Sequence, residues 1–577
     1  MNPTDADPHL PDARRTIARI LTGLTQGGLI WWLVQAEGEK RWPAIDQPLY
    51  SAFILMALAV PPVLLGALGI LKPRPLLIWA GSVTILCLGV GWLDGYRALS
   101  QSAEPPSPPV MLGIGIGLFV AQSLLVGAAV DQRRLARYQT YFDVAWKYGV
   151  QIVLAAGFTG VFWLVLLLGA ALFGVIGLKG FGELLGQTWF SIPATTTAFA
   201  AAVQLTDVRT GLIRGVRTVA MTLLGWLTPL LAGLGLAFLL ALPFTGLAPL
   251  WATRSATAIL LGSAAALILL ANAAYQDGGR DRPVPAILGW AIRLAGLLLA
   301  PLAGLATYAL LLRIGQHGLT VDRIVAAACA LIALCYAVGY GVAAVSPGPA
   351  MRRIEPVNIG VAFLSVAVIL ALLSPVADPV RLSVGDQMAR LKSGKVQAAA
   401  FDYGWLRFEA GRYGKQALND LVRQGGEAGR LAAQAAAAQS REALQPGKPE
   451  KTLGRLPVYP VGQSLPQGFG DAVWNDLPWG CQQQNQACAL YVIDLDGDRQ
   501  MEVVAASQNG EAKAFSRSST GFWSVVGDYD LKPCSAADLR DHLRQGRFKT
   551  TPGRWKDLEF GGARFPMMAR KPDCPAS

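Results

Sequence analysis

Residues 148–177 read YGVQIVLAAGFTGVFWLVLLLGAALFGVIG, thirty consecutive positions without a single Asp, Glu, Lys or Arg. About 20 mostly apolar residues in a helix are enough to cross the hydrocarbon core of a bilayer. Within lipid such a segment must be helical, because no water is present to satisfy its backbone N–H and C=O groups. This stretch therefore predicts a membrane-spanning helix and sets the fold class of the chain.

Similar apolar stretches lie on both sides of this one. Together they predict eleven spans, at residues 17–35, 49–71, 76–94, 110–130, 148–177, 187–205, 219–243, 255–275, 289–312, 324–345 and 357–375. The span at 187–205 is the weakest, because it contains Pro193 and three consecutive threonines at 195–197. The alternative for this stretch is a segment that enters the membrane and turns back.

The composition of the whole chain agrees with a membrane protein. Of its 577 residues 53% are hydrophobic and only 15% are charged, and the mean hydropathy is +0.39. An ordinary soluble protein is about 25% charged. The net charge of +12 comes mainly from short connections between apolar stretches, without a basic stripe that contains interleaved aromatic residues. This distribution argues against a nucleic-acid partner and is typical of cytoplasmic loops.

The positions of the basic residues predict the orientation. With eleven spans and a cytoplasmic N-terminus, the cytoplasmic connections would hold sixteen Lys and Arg residues, including Arg15, Arg19 and Lys147, and the outer connections seven. Basic residues concentrate on the cytoplasmic side of membrane proteins. An odd number of spans then places the C-terminal part outside the cytoplasm. We therefore expect a protein of the bacterial inner membrane with a periplasmic C-terminal domain.

The fold class predicted is an α-helical polytopic membrane domain followed by a small helical segment and a mixed α/β extracytoplasmic domain. The corresponding boundaries are 1–375, 376–446 and 447–577. In the helical segment, Ser383 and Asp386 have the spacing of a capping box, which predicts a helix start. In the α/β module we expect strands at Leu490–Ile493, Glu502–Ala506 and Phe522–Val526 and a helix at Ser535–Gln545.

Four aromatic residues stand close together in the helical segment, within FDYGWLRFEAGRYGKQALNDLV at residues 401–422. They are Tyr403, Trp405, Phe408 and Tyr413. We expect these rings to form a small core between two helices. The alternative is an interaction surface at the bilayer interface, where aromatic rings with polar tips are favoured.

The cysteines fall into two groups. Three lie inside predicted spans, whereas Cys481, Cys488, Cys534 and Cys574 all lie in the soluble part. An even number there fits one or two disulfides formed in an oxidising compartment, with Cys481 and Cys488 close enough to bridge a local loop. Four unpaired thiols in a cytoplasmic domain are the alternative. A zinc site is disfavoured by the irregular spacings.

The sharpest motif of the chain is DLDGDRQME at residues 494–502. Asp494, Asp496, Asp498 and Glu502 occupy positions 1, 3, 5 and 9 of a tight loop, and Gln500 offers a carbonyl at position 7. Such oxygens suit calcium, a hard cation that takes six to eight oxygen ligands. The loop is not an EF-hand. It resembles the calcium loops of integrin-type repeats and dockerins, except for an arginine at position 6. A solvated, metal-free acidic turn is the alternative.

Polar residues within the spans are few. The sequence places almost no ionisable group at membrane depth, which disfavours a proton relay or an intramembrane hydrolase. We interpret the uncharged Gln26, Gln122, Gln204 and Asn272 as interhelical hydrogen-bonding residues rather than as substrate ligands.

Beyond these motifs, the chain as a whole resembles a bacterial membrane family. The likeness rests on the spans, on RLSVGDQMARLKSGKV at 381–396, on FDYGWLRFEAGRYGKQAL at 401–418 and on the DLDGD loop. The family is domain of unknown function family 4153. The resemblance implies a membrane location and this architecture, and it carries no catalytic residue to any position.

Two functions are compatible with these features. The first is a non-enzymatic membrane protein whose periplasmic domain senses or binds an envelope component, with an envelope protein as a partner and calcium as a cofactor. The second is a transporter or flippase of an apolar or lipid-like molecule, because Pro61, Pro62, Pro193, Pro229 and Pro301 can open helices at membrane depth. An enzyme acting on lipid or cell-wall precursors would need an acid/base pair that the sequence does not offer.

Overall fold

The computed structural model of the chain describes residues 12–98, 103–208, 210–247, 253, 255–276, 285–346, 351–438, 441, 444, 456–469, 477–478, 481, 488–507, 511–517, 523–530, 558–560 and 563–565. These residues belong to two compact units. The first comprises residues 1–437 and the second residues 438–577. The predicted helix at Ser535–Gln545 lies outside the described residues.

The first unit consists of helices. The first twelve are α1 (Asp12–Gly38), α2 (Gln47–Ala67), α3 (Pro73–Arg97), α4 (Pro108–Asp131), α5 (Tyr138–Val175), α6 (Gly180–Gly186), α7 (Thr188–Val208), α8 (Thr210–Thr245), α9 (Ala256–Tyr275), α10 (Ala286–His317), α11 (Val321–Val345) and α12 (Ile354–Leu373). Ten of these described helices, all except α6 and α7, are long and apolar enough to cross a bilayer. The chain is therefore a membrane-embedded protein by the length and composition of its helices.

The weakest predicted span, 187–205, is the continuous 21-residue helix α7. At 1.5 Å per residue it is about 32 Å long, close to the thickness of the hydrocarbon core. It packs along α1 through Gly23 and Gly27, because a Cβ at Gly27 would lie only 2.4 Å from the Cα of Pro193. This close approach also places Thr196 directly against α1.

The prolines at membrane depth do not interrupt their helices. Pro61 and Pro62 lie inside α2, Pro193 inside α7, and Pro301 inside α10, all of which are continuous. Pro229 likewise lies within α8. The opened helices that the transporter alternative would use are not seen among the described residues.

Four shorter helices complete the first unit. They are α13 (Pro379–Lys392), α14 (Tyr403–Phe408), α15 (Gly411–Gln424) and α16 (Gly426–Ala437). The predicted helix start at Ser383 is wrong. Asp378 caps α13, and its Oδ1 accepts hydrogen bonds from the N–H groups of Val380 and Arg381 at 3.0 and 3.4 Å. Pro379 then occupies the first helical position, where its missing N–H costs nothing.

Ser383 and Asp386 have another role than capping. Asp386 Oδ2 accepts a hydrogen bond from the backbone N–H of Leu319 at 2.7 Å, and the Ser383 hydroxyl donates to the Leu319 carbonyl at 3.0 Å. Arg390 donates to the carbonyl of Gln316 at 2.8 Å. Helix α13 is therefore fixed by side chains to the connection between α10 and α11.

The second unit contains a five-stranded sheet and a separate two-stranded one. The strands are β1 (Val458–Tyr459), β2 (Cys488–Ile493), β3 (Glu502–Ser507), β4 (Glu511–Arg517), β5 (Trp523–Asp530), β6 (Leu558–Phe560) and β7 (Ala563–Phe565). The five-stranded sheet has the order β1-β2-β3-β4-β5, with β1 parallel to β2 and the other pairs antiparallel. All residues of β2 and β3 are buried. Phe469, Phe515 and Trp523 pack on one face of this sheet.

Candidate functional site

The acidic motif forms the loop between β2 and β3. Asp494 directly follows β2, and Glu502 opens β3, where it pairs with Ile493 in the ladder. Each aspartate accepts a hydrogen bond from a backbone N–H further along the loop: Gly497 to Asp494 at 2.7 Å, Asp498 to Asp496 at 3.0 Å and Gln500 to Asp498 at 2.6 Å. These bonds fold the loop tightly and hold its carboxylates in place.

Three of the predicted ligands come together. Oxygens of Asp494, Asp496 and Glu502 all lie within 4.8 Å of one another. Asp498 is not part of this group, and its second oxygen accepts a bond from the side chain of Gln500 at 3.0 Å. Convergence of three carboxylates is the arrangement that a hard divalent cation requires.

Glu502 is the buried member of the group, with 3% of its surface exposed. Burial raises the pKa of this carboxyl, because the charged form loses hydration, and the charges of the three aspartates raise it further. The Leu495 N–H donates to Glu502 Oε2 at 2.7 Å, and this hydrogen bond lowers the pKa of the carboxyl because it stabilises the charged form. A bound cation would relieve this concentration of negative charge.

Arg499 occupies the position where the calcium loops that this motif resembles have glycine. Its φ is +71°, in the left-handed region that side chains rarely adopt, and the φ of Gly497 is +84°. A non-glycine residue held in this region costs about 1 kcal/mol or more. The loop thus keeps a glycine-like backbone in spite of the arginine.

One of the predicted disulfides is present. Cys481 and Cys488 are bonded, with their Cα atoms 5.1 Å apart, and both are buried beside β2. The bridge joins Cys481 to the first residue of β2. Cys534 and Cys574 lie outside the described residues.

The four aromatic residues of the helical segment differ in burial. Tyr403 is buried, whereas Trp405, Phe408 and Tyr413 are half-buried. The interior among α14, α15 and α16 is instead mainly aliphatic. Its most buried members are Leu406, Ala410, Leu418, Leu421, Ala432 and Ala435. Only Tyr403 therefore takes the core position expected of the group, and the other three remain partly accessible for an interaction.

The uncharged polar residues of the spans make the interhelical hydrogen bonds that we predicted. Gln26 donates to the Ala57 carbonyl at 3.1 Å. Gln122 donates to the Val63 carbonyl at 3.1 Å and accepts from a tryptophan on α3. Asn272 lies in a network whose other members are Tyr138, Tyr340 and Asn358. These side chains hold together α1, α2, α3, α4, α5, α9, α11 and α12.

The interpretation of Arg15, Arg19 and Lys147 as loop charges is wrong. Arg19 lies in α1 with only 1% of its surface exposed. Its Nη2 is 2.9 Å from Asp207 Oδ2 on α7, and Lys147 Nζ on α5 is 2.7 Å from Asp207 Oδ1. Arg15 Nη1 is 3.8 Å from the same carboxylate. The three cations thus surround a single anion between helices.

Near this cluster a cavity of about 260 Å³ opens between α2, α4, α5 and α7. Its walls are mainly aliphatic and aromatic. The polar residues that line it are Gln122, Tyr148 and Gln151. A cavity of this kind suits an elongated apolar molecule better than an ion.

No protein-family model matches the chain, and no curated protein or solved structure is similar to it. The resemblance to domain of unknown function family 4153 therefore stays an expectation from the sequence.

Proposed function

We propose that this chain is a non-enzymatic protein of the bacterial inner membrane whose soluble C-terminal part binds calcium and, through it, senses or binds an envelope component. The observation that carries the proposal is the convergence of Asp494, Asp496 and Glu502 within 4.8 Å. A protein of the envelope is the partner that we expect, with Trp405, Phe408 and Tyr413 as the accessible aromatic surface.

Calcium is the cation that the donor set fits best. All side-chain donors are carboxylate oxygens, which excludes a preference for a soft metal. Calcium accepts irregular sets of oxygen ligands, whereas magnesium demands near-octahedral geometry. The backbone carbonyl of Gln500 and water would complete the set. The glycine-like backbone at Arg499 supports the same assignment, because it keeps the loop in the shape that this ligand set needs.

The test uses the full-length protein in mild detergent and radioactive calcium in equilibrium dialysis. We expect one calcium per chain in the parent protein and loss of binding in Asp496→Asn, which removes one ligand charge without changing side-chain size. Asp528→Asn is the matched control, because Asp528 is exposed on β5 in the same unit and lies outside the carboxylate group. Equal binding by Asp496→Asn and the parent would overturn the proposal.

The proposed topology has eleven crossings, a cytoplasmic N-terminus and a periplasmic C-terminus. It is supported by the ion pair between Arg97, at the end of α3, and Asp378, just after α12. Two helix ends in contact lie on the same side of the membrane, so the number of crossings between them is even. The number of crossings between these two residues is eight if α7 crosses the membrane and seven if it does not. The even number is reached with α4, α5, α7, α8, α9, α10, α11 and α12.

A second candidate function is a transporter or flippase of an apolar or lipid-like molecule. The cavity between α2, α4, α5 and α7 favours it. The test is movement of a fluorescent phospholipid between leaflets of proteoliposomes, followed by chemical quenching of the outer leaflet. Movement at the rate of protein-free vesicles would dismiss this candidate and leave the calcium proposal untouched.

A further inference from the structure

The cavity in the first unit runs along its helices for a distance that matches one leaflet. On α2 it extends from Leu55 to Gly66, and on α4 from Met111 to Gln122. Eleven helical steps correspond to about 16 Å, roughly half of a hydrocarbon core of about 30 Å. A single acyl chain is an elongated apolar object of this length.

One end of the cavity is polar. Tyr148 donates to the Gly66 carbonyl at 2.9 Å, and Gln151 donates through Nε2 to the Val203 carbonyl at 3.0 Å. Gln151, which is 4% exposed, also donates to the Thr206 hydroxyl on α7 at 3.2 Å. A few polar groups at one end of an otherwise apolar cavity are suited to orienting a ligand that has one polar end.

The basic cluster adjoins this polar end. Lys147 precedes Tyr148 on α5, so the two positions are consecutive. Gln204 follows Val203 on α7 and accepts a hydrogen bond from Arg19 Nη1 at 2.7 Å. Arg19 Nη2 also donates to the Leu68 carbonyl at 3.1 Å, two residues beyond Gly66. The cations therefore lie within about one helical turn of the cavity wall on three helices.

The cluster carries more positive than negative charge. Among the described residues, Asp207 is the carboxylate that pairs with both Arg19 and Lys147, which leaves these two cations with a formal excess charge of +1. The nearby Asp143 on α5 is paired with Arg217 at 2.8 Å. In addition, the Nε of Arg19 is buried and has no hydrogen-bond partner in the described part of the chain. Partly desolvated cations of this kind attract an anion.

We propose that this cavity and this cluster together bind one anionic phospholipid from the leaflet at that end of the helices. An acyl chain lies between α2, α4, α5 and α7, and the phosphate lies against Arg15, Arg19 and Lys147. A free phosphate would leave the cavity unused, and an uncharged lipid would leave the cations unmatched. Basic pockets between membrane helices are suited to anionic head groups. This lipid site uses the same cavity that favours the second candidate function. Binding of a lipid there requires neither calcium at the acidic loop nor movement of lipid between the leaflets.

The test is native mass spectrometry of the full-length protein in mild detergent with phosphatidylglycerol or phosphatidylcholine of matched chains. We expect the parent to retain one phosphatidylglycerol in preference to phosphatidylcholine. Gly115→Leu should abolish retention, because Gly115 lines the cavity and a Cβ there meets nothing within 4 Å, so there is open space at this position for an added side chain. Gly81→Leu is the control, since Gly81 is equally open but lies on α3 outside the cavity.

The contribution of the basic cluster is tested separately from that of the cavity. Lys147→Gln should lower the affinity for phosphatidylglycerol about fivefold, the equivalent of about 1 kcal/mol for one basic residue near an anionic lipid. The affinity for phosphatidylcholine should not change. Lys179→Gln, an exposed site beyond the other end of α5, should have no effect on either lipid. Equal retention of both lipids by the parent, retention by Gly115→Leu, or displacement by inorganic phosphate alone would overturn the proposal.

Discussion

Arg97 Nη2 lies 3.0 Å from Asp378 Oδ2, and the aspartate is completely buried while the arginine is 14% exposed. The other oxygen of Asp378 caps α13 through the backbone N–H groups of Val380 and Arg381. A single carboxylate thus fixes the start of a short helix to the end of α3, 281 positions earlier in the chain. The aspartate also contacts Tyr413, whose pKa is raised first by burial and then by its hydrogen bond to Asp378.

Replacing Asp378 by Asn should loosen α13. A buried ion pair that loses one partner leaves an uncompensated charge, which costs about 3–5 kcal/mol. We expect the amides of α13 to exchange with deuterium about a hundredfold faster, because they open with the local rather than the global free energy. Hydrogen exchange of the full-length protein in detergent, read by mass spectrometry, measures this difference.

Asp420→Asn is the control for that experiment. Asp420 pairs with Arg423 on α15, but both side chains are at least half exposed to solvent. Exposed pairs contribute about 0.2–1 kcal/mol. In this control variant the rate of deuterium exchange should therefore change by less than about fivefold. Equal changes in the two variants would show that the Asp378 pair has no special role.

The sequence predicted the features that depend on local composition. A run such as 148–177 is apolar whatever surrounds it, and the structure confirms a long apolar helix there, Tyr138–Val175. The Cys481–Cys488 bridge was predictable for the same reason, because seven positions separate its ends. In each case one short stretch of sequence contains all the residues on which the prediction depends.

Features that depend on distant partners were missed. Arg19 lies near a predicted helix end, where an exposed cation is normal, and only the register of α1 against α7 brings it to Gln204 and Asp207. Strand β4 was missed because EAKAFSR has no continuous apolar run, and its burial comes from pairing with β3 and β5. Helix packing and strand order depend on contacts between residues far apart in the chain, so a short stretch of sequence does not predict them.

The proposed crossing of α7 is testable with fusions. Alkaline phosphatase is active only outside the cytoplasm, and green fluorescent protein fluoresces only inside it. A fusion after Gln187 should be phosphatase-positive, and one after Arg217 should be fluorescent, because the intervening helix reverses the side. A fusion after Gln132 is the cytoplasmic control. The same signal after Gln187 and Arg217 would identify α7 as a helix that does not cross.

Loss of the disulfide should destabilise the second unit. In the chain-entropy account, a bridge closing a loop of about eight residues contributes about 2.5 kcal/mol by restricting the unfolded chain. The double variant Cys481→Ser/Cys488→Ser should therefore unfold at a lower denaturant concentration, and a reducing agent should lower the midpoint of the parent more than that of the variant. Cys87→Ser, in α3, serves as the control because that thiol is unbridged. Equal unfolding midpoints of the parent and the double variant would contradict the assignment.

Calcium binding should weaken as the pH is lowered from neutrality. The pKa of Glu502 is raised above its ordinary value by burial and by the neighbouring aspartates, so a proton competes with the cation as the pH approaches that pKa. Without calcium, the stability of the fold changes with pH in the opposite direction. A carboxyl whose folded pKa is raised stabilises the fold when protonated, and that stability is lost as the pH rises through the folded pKa. Calcium should therefore raise the unfolding temperature more at the higher pH. Glu502→Gln should bind little calcium at either pH and show a flatter pH dependence, whereas an equal calcium effect at both pH values in the parent would exclude Glu502 as a ligand.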